Sequence, residues 1–168
     1  MWNLHLLRAF AAADLYSYQG WRAIVASRNS TCSIYTDGGA RGNPGPAAAG
    51  GVILAADGTT VAELSEYLGS ATNNVAEYRA LALTLRRARE LGFESAVIHM
   101  DSELIVRQLN GIYRVKDPKM LELHSEVRRL LRDFADWKIV HIPRTKNKRA
   151  DELVNNALDA RATSLEGS

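Results

Sequence analysis

Tyr35-Thr36-Asp37-Gly38-Gly39-Ala40-Arg41-Gly42-Asn43-Pro44-Gly45-Pro46 sets a carboxylate at the end of a short apolar run and follows it at once with glycines and prolines. Upstream, Ser33-Ile34-Tyr35-Thr36 has the β-branched and aromatic content of a strand. The glycines downstream permit backbone angles and close approaches that a Cβ forbids. The stretch therefore predicts a strand that stops at Asp37 and turns. An acid on a rigid strand beside an open loop is well placed to hold a metal ion against a large substrate. Read alone, Asp37-Gly38 is more simply a turn aspartate bonding its own backbone.

The chain has 168 residues, 46% hydrophobic and 24% charged, enough for one good core and too little for two. A formal net charge of +2 permits an anionic partner without announcing one, so basic surface must come from local clustering. Cys32 is the single cysteine, which excludes an internal disulfide and a thiolate metal knuckle and suits a small buried residue. No run of eighteen apolar residues occurs, so no membrane span is expected. Residues 1–30 are the least informative part. Their leucines, alanines and Phe10 suit a turn or two of amphipathic helix, and Arg8 interrupts the apolar run that a secretory signal needs. They read as an N-terminal extension on a cytoplasmic, monomeric protein, ahead of a domain over 31–164 and a short tail over 165–168.

From Ala47 to Ala55 the chain reads as a second strand, Asp57-Gly58 as a hairpin turn, and Thr60 to Leu68 as a third strand. Asn73 to Leu91 changes to a helical period, with Tyr78, Leu81, Ala82, Leu85 and Ala88 on one face and Gly92 as the stop. Ser95 to Met100 is a short continuous strand of the kind buried on both faces. Ser102 to Leu109 is a short helix, and Asp117-Pro118 opens another in which Leu123, Val127, Leu130, Leu131 and Phe134 line one side. Trp137 to Ile142 is the fifth strand, Pro143 to Lys148 a basic loop, and Arg149 to about Ala162 the last helix. The order βββαβααβα predicts an α/β fold. Its five-stranded mixed sheet has three antiparallel strands, then parallel additions, with flanking helices.

On this framework Glu77 falls in the first turn of the long helix, Asp101 ends the fourth strand, and Asp151 lies in the first turn of the last helix. Each has a simpler local explanation. Asn74-Val75-Ala76-Glu77 fits a capping box, Asp101 suits a helix cap, and Asp151 gains from the helix dipole. Together with Asp37, however, the four can share one edge of the sheet. Carboxylates so close repel and raise one another's pKa unless cations fill the gap, so the set makes sense mainly as a metal site. Oxygen ligands without cysteine or paired histidine point to Mg²⁺ or Mn²⁺. Two such ions about 3.5–4 Å apart are a common apparatus for in-line attack at a phosphodiester.

Thr36-Asp37-Gly38-Gly39 with Gly42-Asn43-Pro44-Gly45-Pro46, then Thr72-Asn73-Asn74-Val75-Ala76-Glu77, then Met100-Asp101-Ser102, then Asn147-Lys148-Arg149-Ala150-Asp151 together resemble the four active-site blocks of the ribonuclease HI family. The resemblance runs unbroken from about Ser33 to Ala160. It implies a ribonuclease H-like fold and two-metal hydrolysis of the RNA strand of RNA/DNA hybrids, leaving 5′-phosphate and 3′-hydroxyl ends. On that pattern Asp37 bridges two Mg²⁺ or Mn²⁺ ions. Asp151 completes the site that activates water, and Glu77 with Asp101 holds the ion beside the leaving oxygen.

The family pattern also puts Asn43, Asn73 and Asn74 where side-chain amides meet 2′-hydroxyls, a contact that separates RNA from DNA. It puts Thr72 at a phosphate of the DNA strand. Turn and cap chemistry accounts for each of the three asparagines structurally. The chain departs from better-known bacterial relatives in having no Lys or Arg between Ala47 and Ala71, and in replacing a basic helical projection by the connector Ile112 to Asp117. In this it is similar to shorter archaeal and some bacterial members, and double-stranded RNA becomes a second candidate substrate. Arg41, Arg107, Arg144, Lys146, Lys148 and Arg149 are the candidates for phosphate contact. For the mobile group that moves protons and releases product, Arg144 is preferred to His141, which stands ten residues before Asp151 and suits a strand end. His99 and His124 read as structural or exposed. The alternatives are another nuclease of the superfamily, such as a resolvase or integrase, and a non-catalytic nucleic-acid-binding domain. The former would lack the Asn-Pro-Gly and Asn-Asn blocks, and the latter would have lost a carboxylate.

Overall fold

The computed structural model describes residues 31–166, with side chains through 163. The expectations for residues 1–30 lie outside the described residues, as does the tail apart from the backbone of 165 and 166. Five strands, β1 (Thr31–Ala40), β2 (Gly45–Ala55), β3 (Thr60–Ala71), β4 (Ser95–Met100) and β5 (Asp136–His141), form one sheet in the order β3-β2-β1-β4-β5. The first three pair antiparallel, while β4 lies parallel to β1 and β5 parallel to β4. Four helices complete the fold: α1 (Asn73–Glu90), α2 (Glu103–Leu109), α3 (Pro118–Leu131) and α4 (Lys148–Glu166). Both the mixed sheet and the element order agree with the sequence reading.

The two faces of the sheet are covered unequally. On one face α1 packs against β1 and β2 with α3 outside it. Ile34, Ile53, Tyr78, Leu81, Leu85, Phe93, Ile98 and Met100 make the main core there. On the other, α4 lies over β2, β3 and β1 above a thin layer of Ala48, Val154 and Leu158. At one glycine each, both helices also touch bare main chain of the sheet. A Cβ at Gly38 would fall 2.2 Å from the Ala76 carbonyl carbon and 2.3 Å from the Glu77 nitrogen, and one at Gly50 would fall 2.4 Å from the Ala150 oxygen. Asp37 pairs with Gly50, so it shares the α4 face.

Several boundaries differ from the sequence reading, each for a physical reason. β1 does not turn at Asp37 but runs on to Ala40, because Gly38, Gly39 and Ala40 pair with Ala49, Ala48 and Ala47 of β2. β3 extends to Ala71 through the same neighbour. Thr72, not Asn74, caps α1, its Oγ1 accepting from the Val75 N–H at 3.3 Å. The expected capping box is therefore absent, and Glu77 falls in the second turn. α3 opens as expected, with Asp117 accepting from Met120 N–H at 2.9 Å, but stops at Leu131 and leaves Phe134 buried beyond it. β5 is shifted by one residue, ending at His141. α4 continues through Glu166, since no glycine or proline interrupts residues 149–166. Among the described residues no helix is long and apolar enough to cross a membrane.

Candidate active site

β4 ends at Met100, paired with Thr36, while β1 goes on. The sheet thus opens beside Asp37, and Asp101 leaves β4 into that opening. α1, laid on Gly38, brings Glu77 to the same place, and the first turn of α4 brings Asp151. All four acids line one cleft of about 540 Å³, together with Arg41, Asn73, Asn74 and Arg144. Carboxylate oxygens of Asp37, Glu77 and Asp101 lie within 4.8 Å of one another, a spacing that can hold a metal ion. Asp151 stands on the same cleft beside that triad, bonded by Arg144 Nη2 at 2.7 Å and by Asn155 Nδ2 at 3.2 Å.

The electrostatics follow from this crowding. Burial first, then the charges of Asp101 and Asp151, push the Asp37 carboxyl from 3.8 up to about 7, against the opposing pull of Arg144 and the Gly38 amide. Burial, then Asp37 and Asp101, hold Glu77 well above its ordinary range. Glu77 Oε2 is buried without a hydrogen-bond partner. A buried acceptor with no donor, in a cluster of hard oxygens, fits a divalent cation.

The helix-dipole reading of Asp151 holds, since it lies in the first turn of α4, but the simpler local explanations for Asp37 and Asp101 do not describe the structure. Asp37 lies within a strand, and Ser102, not Asp101, stands at the start of α2. Asn43 and Asn73 tie the β1–β2 connection to α1. Asn43 Oδ1 accepts from the Asn73 N–H at 3.1 Å, and Asn73 Oδ1 from the Ala40 N–H at 2.8 Å. Asn74 is exposed and lines both the acidic cleft and an adjoining one that holds Asn43 and Thr72. Arg41 reaches Asp159 on α4. Lys146 lies outside the acidic cleft, in a short 3-10 turn (Arg144–Lys146), against a separate cavity beside Tyr35. His141 is exposed at the end of β5 and is not among the residues lining the acidic cleft, whereas Arg144 is. His99 stacks on Tyr35 with centroids 4.4 Å apart, and His124 meets Tyr78 edge-on.

Sequence reasoning missed two residues. Asn155 bonds Asp151 from one turn along the same helix, and the i, i+4 spacing was its signal. Asn147 is 1% exposed and donates to the Thr36 carbonyl at 2.8 Å across 111 residues of chain, for which there is no local signal.

The Reverse transcriptase-like family model matches residues 35–157. Ribonuclease HI of Halobacterium salinarum is 41% identical over 167 residues, which is 95% of this chain and 84% of the relative. The crystal structure of RNase H1 from the same archaeon superimposes with a TM-score of 0.76 at 45% identity, covering 77% of this chain and 98% of that one. LC11-RNase H1 in complex with RNA/DNA hybrid gives 0.75 at 47% identity, covering 78% and 99%. With fold and sequence in agreement over most of both lengths, the chain belongs to the ribonuclease HI family.

Proposed function

We propose that this chain hydrolyses the RNA strand of RNA/DNA hybrids, leaving 5′-phosphate and 3′-hydroxyl ends, with divalent cations held by Asp37, Glu77, Asp101 and Asp151. The observation that carries the reading is the gathering of Asp37, Glu77 and Asp101 within 4.8 Å in a cleft that also presents Asp151, Asn73 and Asn74. The hybrid bound to LC11-RNase H1 supports the substrate. The oxygen donors suit Mg²⁺ or Mn²⁺, two ions per site when substrate is present. When bound, such ions activate water and neutralise charge on the departing oxygen.

Asp37 feels both Asp101 and Asp151 and presses in turn on Glu77, which suits it to serve both cations. Asp151 then completes one half of the site, and Glu77 with Asp101 the other. The side-chain oxygens of Asn43 and Asn73 are engaged with main-chain donors, so their NH₂ groups, with that of Asn74, are what they offer to ribose 2′-oxygens. Thr72 contacts a phosphate of the DNA strand, and Arg41 and Lys146 contribute charge to the phosphate track. Arg144, its side chain 77% exposed and paired with Asp151, is the mobile group that leaves Asp151 for phosphate as product departs; His141 is the lesser candidate. Residues 31–164 carry the activity as one catalytic domain, acting as a monomer in the cytoplasm. Because residues 47–71 offer no cation to a DNA strand, double-stranded RNA is cut as well, more slowly.

One labelled strand, presented as RNA/DNA, RNA/RNA and DNA/DNA with Mg²⁺ or Mn²⁺, tests the reading. Cutting of the RNA in the hybrid is expected, with weaker cutting of RNA/RNA and none of DNA/DNA. Hybrid left whole with either ion would overturn it.

A further inference from the structure

We infer that Asn147 is the positioning residue that fixes the spacing between the strand bearing Asp37, the Asp101 carboxylate and the helix bearing Asp151. Its side-chain nitrogen donates to the Thr36 carbonyl at 2.8 Å and makes a longer 3.5 Å contact to Asp101 Oδ1. Its main chain closes two further links. The Asn147 N–H donates to the Arg144 carbonyl at 2.9 Å, and its own carbonyl accepts the Asp151 N–H at 3.2 Å. Thr36 immediately precedes Asp37 and is the last residue of β1 paired with β4. One buried amide therefore spans the gap where the sheet parts and the acids gather, touching the backbone of one and the side chain of another while starting the helix of a third.

The chemistry asks for an amide here. A planar NH₂ carries two hydrogens on one nitrogen, so it can serve a carbonyl and a carboxylate together. Aspartate of the same shape has no donor and would set a further negative oxygen against Asp101. An apolar side chain would strip the buried Thr36 carbonyl of its partner. Through the Asp101 contact Asn147 keeps that carboxylate aimed into the cleft, as the outer partners of ligating carboxylates do.

The inference rests on the cation-dependent reading of the same cleft, and the experiment separates the two. The Mg²⁺ dissociation constant is read from amide shifts in NMR titrations, alongside melting temperature and hybrid kinetics, for the native chain, Asn147→Ala and Asn147→Asp. Both variants should bind Mg²⁺ about tenfold or more weaker and lose kcat in proportion, with KM for the hybrid within about twofold of native. In the native protein, the Asn147 side-chain NH₂ should exchange far more slowly than that of exposed Asn156 and shift with the same Mg²⁺ midpoint. This second measurement stands even if neither variant folds. Variants that melt earlier but keep native Mg²⁺ affinity and kcat per folded molecule would reduce Asn147 to a structural role and overturn the inference. So would an NH₂ that exchanges like Asn156 or ignores Mg²⁺. A native chain that neither binds Mg²⁺ nor cuts hybrid would overturn the parent reading first.

Discussion

Burial and the neighbouring acids push the Asp37 carboxyl from 3.8 up to about 7 in the folded chain, and Glu77 is shifted in the same direction. Between about pH 4 and about pH 7 the folded protein thus keeps protons that the unfolded chain has released. Stability of the cation-free protein therefore falls as pH rises through that window, and the part due to Asp37 is fully lost above it. Calorimetry in chelator should show a lower melting temperature at about pH 8 than at about pH 5. Asp37→Asn should flatten that difference and raise the melting temperature at about pH 8 by on the order of 5 °C, while abolishing hybrid cutting; a variant that still cuts would remove Asp37 from the site. Added Mg²⁺ should stabilise the native chain more at the higher pH, because the cation binds only the deprotonated acids. At this scale the sequence was informative about charge and poor about its supports. The acids announce themselves by type and by their places on strands and helices. Asn147 could be seen only as a letter in a motif, because its bond to Thr36 exists only once distant segments have met.

Among the elements, α1 and β1 show what local reading could not reach. Glycine after Asp37 looks like the start of a turn, yet pairing with Ala47 to Ala49 holds it extended, and its missing Cβ is used to seat a helix. Gly38→Ala should force Ala76 and Glu77 away, destabilise the fold by about 3 kcal/mol and cut activity even in the folded fraction, which denaturant unfolding and single-turnover rates measure separately. At the head of α1 local chemistry favours Asn74 as the cap, since asparagine ranks above threonine there, yet Thr72 takes the place. The bonds that the Asn73 N–H gives to Asn43 and the Ala40 N–H gives to Asn73 settle the helix start two residues earlier. Thr72→Ala should cost about 1 kcal/mol and Thr72→Ser much less, as urea titration would show.

For the molecule as a whole, a formal charge of +2 leaves affinity for a polyanion to a few placed cations. Alanine at Arg41 or Lys146 should make the salt dependence of hybrid binding shallower by about 0.9 in log–log slope for each phosphate no longer neutralised, read from binding isotherms at several salt concentrations. The overall architecture was legible because alternation, helical period and turn residues are written locally, whereas the packing of α1 and α4 on bare backbone at Gly38 and Gly50 is not. That packing bears on heat. At those two points no side chain stands between helix and strand to soften, so warming should leave the distances among the acids unchanged until the sheet itself gives way. Turnover should climb smoothly with temperature and break off at the melting point rather than fade below it.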